Sequence, residues 1–217
     1  MYVPLMTPAE LRAIIAKGEE LMNVRISNPG DVIPRFSSGL ASVCHHLCLN
    51  ICLAGGVEVT APDLAVLGQK ELRTAVARYV QESADTVKAA FEHALRHHGA
   101  RRYDNVRLIF RGLAGAPLDG LLKAQILQAI HATQADYPAG NLTRHLRELT
   151  ADPDSVVKQC PDGRYRFSDP IYHVYAQGIF WPDRPVIAGS AEARPFYSVL
   201  LESAVANIGR WTHVRRG

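Results

Sequence analysis

One short stretch carries the side chains best suited to holding a metal ion. Cys44, Cys48 and Cys52 recur every four residues, with His45 and His46 between the first two. Zinc takes four ligands in a tetrahedron, and a helix presents two well at a spacing of three or four. Three thiolates on successive turns of one helix would span about 12 Å, too far for one ion. A complete site would need ligands from elsewhere. The plainer reading is that these cysteines pack as small hydrophobes in an apolar helix, so no metal or other cofactor is expected. Catalytic chemistry is poorly supplied too. Asp162, Asp169 and Asp183 lie near His173 in sequence, but no G-x-S-x-G elbow or H-E-x-x-H pair exists. The sequence therefore predicts a protein that is not an enzyme.

The remaining chemistry belongs to anions. Asn141, Arg144, His145 and Arg147 fall in the run NLTRHLREL, and Lys158, Arg164 and Arg166 in VVKQC-PDG-RYRFS. Arginine and lysine neutralise phosphates, while asparagine and arginine also read adenine and guanine edges. These seven residues are the candidate DNA-binding set.

The elements that must position them follow from periodicity. Leu142, Leu146 and Leu149 form one apolar stripe, so residues 141–149 should be a helix with its polar side outward. The Asp162-Gly163 pair tolerates positive φ and predicts a hairpin turn. On the second strand Arg164 and Arg166 alternate with Tyr165 and Phe167, which gives a basic outer face over an apolar inner one. A helix passing to such a hairpin is the pattern of a winged helix-turn-helix. Two more helices should precede it, one carrying Val106, Ile109, Phe110 and Leu113, the other at residues 121–132. Asp169-Pro170 should open a last apolar helix. The winged domain is placed at residues 101–180, with the β-hairpin wing as the chief sheet.

Upstream, residues 1–100 read as a helical bundle with a long connecting helix. Thr7-Pro8-Ala9-Glu10 is a capping box with proline at the first helical position. The helix it opens should place Leu11, Ile14, Ile15 and Leu21 inward. A short helix covers residues 31–37, and an apolar one covers 38–54 before Gly55-Gly56. Thr60, with Asp63 three residues on, predicts a further helical start. One long helix is expected at 70–97, with no strand pattern before residue 100 strong enough to build a sheet. Residues 181–217 form a tail with one amphipathic helix at 194–207. The fold class expected is mainly α.

Composition bounds the rest. The 217 residues allow one large domain or two small ones, and an apolar fraction of 47% fits a globular chain. No run of apolar residues is long enough for a membrane span, and no signal peptide is indicated. Four cysteines without a disulfide pattern fit a reducing, cytoplasmic setting. The net charge of +3, from 24 basic and 21 acidic residues, does not by itself imply nucleic acid. Distribution says more, because Arg96, Arg101, Arg102, Arg107, Arg111 and Lys123 cluster ahead of the helix-turn-helix.

The order of pieces resembles a known architecture. TPAELRAIIAKGEEL, VIPRFSSG and LASVCHHLCLNICLAG are similar to the small helical lid of AAA+ and STAND-type signalling ATPases. DNVRLIFRGLAG, GNLTRHLREL and GRYRFSDPIYHVY resemble the winged helix that follows the lid in origin-recognition-like members. The resemblance implies a lid-like bundle followed by a DNA-binding winged helix. The sequence also departs from that family. It contains no GxxxxGK[ST] loop, leaves no room for a nucleotide-binding sheet before Thr7, and has no arginine in the Gly39-Leu40-Ala41-Ser42 run, where the lid contributes one. ATP hydrolysis and tight ATP binding are therefore not expected. Expected partners are double-stranded DNA, a separate partner ATPase or a second copy of the chain. The competing expectation is a regulatory docking module that touches protein and no DNA.

Overall fold

The computed structural model describes residues 4–27, 31–96, 102–152 and 154–180. The expected tail helix at 194–207 lies outside these residues. Within them the fold is mainly α-helical, with two small open sheets.

Helix α1 (Pro8–Met22) begins on the capping box read from the sequence. The Glu10 amide donates to Thr7 Oγ1 at 3.3 Å, and the Thr7 amide donates to Glu10 Oε2 at 2.7 Å. Two orphan amides of the first turn are thereby satisfied, and Pro8 has no N–H to leave unpaired. Leu11 and Ile15 are buried, but Leu21 stands exposed, contrary to the inward expectation. The helix stops at Asn23 in the left-handed region, and the chain enters strand β1 (Val24–Ile26).

After α2 (Val32–Phe36) and α3 (Ala41–Ala54), the helix expected to start near Thr60 does not form. Thr60 Oγ1 donates instead to the Leu21 carbonyl at 3.1 Å, and Asn23 Nδ2 donates to the Ala61 carbonyl at 2.9 Å. Held back across the end of α1, this segment delivers strand β2 (Ala65–Leu67) beside β1. The two pair in parallel, Val24 with Ala65 and Ile26 with Leu67. That sheet corrects the expectation of an all-helical first half. The single long helix is also corrected, since α4 (Gln69–Glu82) and α5 (Asp85–Arg96) are separate. At the break Ser83 adopts ψ 145°, and its hydroxyl bonds the Tyr79 carbonyl at 2.8 Å. A serine bonding back to the preceding turn competes with helix continuation.

The second half runs α6 (Asn105–Ala114), β3 (Leu121–Leu122), α7 (Lys123–His131), α8 (Ala139–Leu149), β4 (Val157–Gln159), β5 (Arg164–Phe167) and α9 (Pro170–Ile179). The sheet is antiparallel in the order β3-β5-β4, so the expected hairpin gains a third strand. Gly163 takes φ 82° at the hairpin turn, as Asp-Gly allows. Gly120 takes φ 87° where β3 approaches β5, and a Cβ there would lie 2.3 Å from the Tyr165 carbonyl oxygen.

Two cores result. The first joins Leu11, Ile33, Phe36, Leu47, Ile51 and Val76. The second gathers Phe110, Ile126, Leu142, Leu146 and Phe167 around Phe91, whose ring contacts Phe110, Phe167, Tyr172 and Tyr175. Val87 and Phe91 of α5 thus pack with the second core, although they precede residue 100. Helix α9 serves both cores, with Val174 in the first and Tyr175 and Ala176 in the second. Among the described residues no helix is long and apolar enough to cross a membrane.

Candidate nucleic-acid interface

Burial of Leu142 and Leu146 turns the opposite side of α8 to solvent, where Thr143, Arg144, Arg147 and Glu148 are exposed. Asn141 is half-buried at the first turn. Arg144 is committed within its own helix, its Nε 2.8 Å from Glu148 Oε1. That hydrogen bond holds the Glu148 carboxyl below its ordinary range. The Arg147 side chain enters no hydrogen bond or ion pair among the described residues.

His145 requires a correction. The sequence placed it on the outward, DNA-facing side of the helix, but its side chain is 4% exposed and its Nδ1 lies 2.9 Å from Glu148 Oε2. A histidine between Leu142 and Leu146 covers core with its ring, beside the Glu148 carboxylate.

The sheet supplies a second basic group. Register pairs Val157 with Phe167 and Leu121 with Tyr165, and Phe167, Val157 and Leu121 are buried on the inner face. Successive side chains alternate, so Lys158, Arg164, Arg166 and Leu122 share the outer face. Lys158 stands directly opposite Arg166. Like charges so placed destabilise a sheet. Arg166 Nε donates to Cys160 Sγ at 3.3 Å, and the Lys158 side chain has no hydrogen bond or ion pair among the described residues. Arg164 is tied down. Its Nη1 lies 3.3 Å from Asp119 Oδ2 and its Nε 3.3 Å from Asp162 Oδ2, and it also donates to the Gly120 carbonyl at 3.1 Å. No hydrogen bond or ion pair links the α8 group to the sheet group among the described residues.

The cysteine stretch is arranged otherwise than a metal site. Cys44 and Cys52 are buried and Cys48 half-buried, whereas His45 is exposed and His46 Nε2 lies 2.7 Å from Glu82 Oε2 on α4. The hydrogen bond with Cys44, then burial, push the Cys48 thiol well above its usual range, so it stays protonated. Among the described residues no group of three His, Cys, Asp or Glu side chains could hold an ion. His173 is a strut between the cores. Its Nδ1 is 2.9 Å from Ser38 Oγ, Gln177 Nε2 donates to the same oxygen at 3.1 Å, and all three residues are buried.

Part of the basic cluster read ahead of the helix-turn-helix comes together in space. Arg102, Arg107 and Arg111 line a cleft with Tyr103, Asp104, Leu108, Gln134 and Phe180. Their clustering in sequence, with Arg107 and Arg111 at i, i+4 on α6, signalled the arginines, whereas Gln134 and Phe180 come from other elements. Comparison of the chain with protein-family models, curated proteins and solved structures found no significant match.

Proposed function

We propose that α6 to α9 form a winged helix that binds duplex DNA, chiefly through its phosphates and without catalysis. The order helix, strand, helix, helix, hairpin, with the first strand completing a β3-β5-β4 sheet, supports the winged-helix reading. The observation that carries the function is the Lys158–Arg166 pair. Two cations held face to face at a cost in stability are relieved when a polyanion lies across them. Arg147 and Arg144 on α8 extend the footprint, and Asn141 at its start is the remaining candidate for a base edge. The test is fluorescence anisotropy of a labelled duplex at two salt concentrations, with the native chain and an Arg147→Ala/Lys158→Ala/Arg166→Ala variant. Binding that falls steeply with salt and is lost in the variant supports the reading. Equal binding by both proteins refutes it.

A second reading, docking to protein, is favoured by a separate observation. Leu21 (62% exposed), Val59 (75%), Leu64 and Val66 (69%) come from the end of α1 and the segment bound across it. In this reading the first unit is a lid-like bundle of the AAA+/STAND kind, covered by a partner ATPase or a second copy of the chain. Sedimentation of the native chain and of Val59→Ser/Val66→Ser over a range of concentrations tests the second-copy form.

A further inference from the structure

The parallel pair β1-β2 is occupied along one edge and open along the other. The Ser27 amide donates to the Leu67 carbonyl at 2.7 Å and the Ala65 amide to the Asn23 carbonyl at 3.1 Å, so the backbone of Ala65 and Leu67 faces β1. Val66, between them, turns its N–H and C=O away from the sheet. Among the described residues neither group meets a hydrogen-bond partner. On the far side of β1 the Ile26 amide donates to Glu19 Oε1 at 2.6 Å. Past the end of β2 the Gly68 amide donates to Glu71 Oε2 at 2.8 Å, which ends the open stretch.

An open edge is a template for another strand unless a charge, a proline or a bulge blunts it. Residues 64–67 read Leu-Ala-Val-Leu and carry none of these. Leu64 and Val66 are exposed, as are Leu21 and Val59 on the adjoining segments. The edge offers one donor and one acceptor, both on Val66. A copy of the chain turned about a two-fold axis at Val66 matches each N–H with the other's C=O. An unrelated extended peptide would gain the same two bonds, but a second copy also brings an equal apolar patch to bury against the first.

Charge agrees with that occupant. Antiparallel pairing about Val66 sets residue 63 of one copy opposite residue 69 of the other, so exposed Asp63 comes beside exposed Lys70 on both sides of the axis. Neither side chain has an ion-pair partner of its own among the described residues. Arg25 lies level with Val66 on the solvent face. The two Arg25 would be three strand spacings apart, about 14 Å, beyond the Debye length of about 8 Å at physiological salt.

We propose that two copies of the chain dock edge to edge, β2 antiparallel to β2 about Val66, to form one four-stranded sheet. The proposal rests on the reading of this apolar patch as a docking surface and names its occupant.

The test is sedimentation of the full chain over a range of concentrations, with hydrogen exchange at the Val66 amide. Expected is a monomer–dimer equilibrium with Kd on the order of 10 μM, and slower Val66 exchange as concentration rises. Asp63→Lys and Lys70→Glu each set like charges together twice and should weaken the dimer roughly threefold or more at low salt. Asp63→Lys/Lys70→Glu should restore it. Val66→Pro removes the outward donor and none of the bonds to β1, and should weaken the dimer roughly tenfold or more. Val66→Thr keeps the donor and should lose much less. Circular dichroism checks that each variant folds; if Val66→Pro does not, the charge reversals decide. A native chain that stays monomeric overturns the proposal. So does a dimer that Val59→Ser/Val66→Ser abolishes while a folded Val66→Pro and both charge reversals leave it unchanged, in which case the docking reading survives without strand pairing.

Discussion

Freeing Arg164 from its two aspartates should strengthen DNA binding. In the native chain Asp119 and Asp162 each place a carboxylate oxygen 3.3 Å from this guanidinium and cancel its field toward a phosphate. Asp119→Asn/Asp162→Asn removes both negative charges, and Asn-Gly retains the positive-φ turn at Gly163. Arg144, Arg147, Lys158 and Arg166 give the native chain four cations, so the log–log salt slope should be about −3.6; a fifth contact makes it about −4.5. The aspartate side chains are 66% and 60% exposed, so solvent already screens them and the gain is moderate. Both lie well inside a Debye length of the guanidinium, and affinity should rise roughly three- to tenfold at about 0.1 M salt. Anisotropy of a labelled duplex across a salt series reads both quantities. If the double variant binds with native affinity and native slope, the outer face of the sheet does not meet phosphates and the reasoning fails.

Other outcomes follow from the packing. Phe91→Ala removes a ring 1% exposed among four aromatic neighbours and should cost about 3–5 kcal/mol in denaturant unfolding. A chain starting at residue 102 lacks Val87 and Phe91, so it should melt well below one starting at residue 84, as differential scanning calorimetry would show. A Cβ on Gly178 would lie 2.4 Å from Val80 Cγ2, so Gly178→Ala should lose about 1–3 kcal/mol, and adding Val80→Ala should restore much of it. The hydrogen bond from His46 holds the Glu82 carboxyl below its ordinary pKa of 4.5. A depressed carboxyl stabilises the fold fully above its unfolded pKa and loses that contribution as pH falls through the lower folded value. In His46→Ala the Glu82 titration followed by NMR should move up, and the mutation's effect on stability should shrink below pH 4.5.

Much of the fold was legible because local chemistry decided it. The Thr7–Glu10 capping box, the Asp162-Gly163 turn, the leucine stripe of α8 and the two-residue alternation of β5 are all set by neighbours in sequence. The parts that were misread depend on distant residues. Strands β1 and β2 have three residues each, too few to show alternation, and their pairing is set by bonds from Thr60 and Asn23 that no pattern announces. The break at Ser83 escaped because neither glycine nor proline marks it, and the apolar spacing of Val76, Val80, Val87 and Phe91 continues across the gap. Among the candidate site residues, polarity alone put His145 outside. Its ring is buried between Leu142 and Leu146, with Nδ1 2.9 Å from Glu148 Oε2. The arginine cleft was invisible as a unit because Gln134 and Phe180 reach it from other elements.

Helix α9 also sets the order in which the protein can be made. Val174 belongs with Leu11 and Phe36 in the first core, and Gln177 Nε2 donates to the Phe36 carbonyl at 3.1 Å across 141 residues of sequence. A ribosome releasing the chain from its N-terminus therefore exposes α1 to α4 long before their last wall exists. The nascent bundle must wait, partly open, until α9 clears the exit tunnel, and closure across so long a loop is slow. Chains stalled between α4 and α9 should be the ones that chaperones hold and proteases cut, whereas release beyond residue 180 should close both cores together.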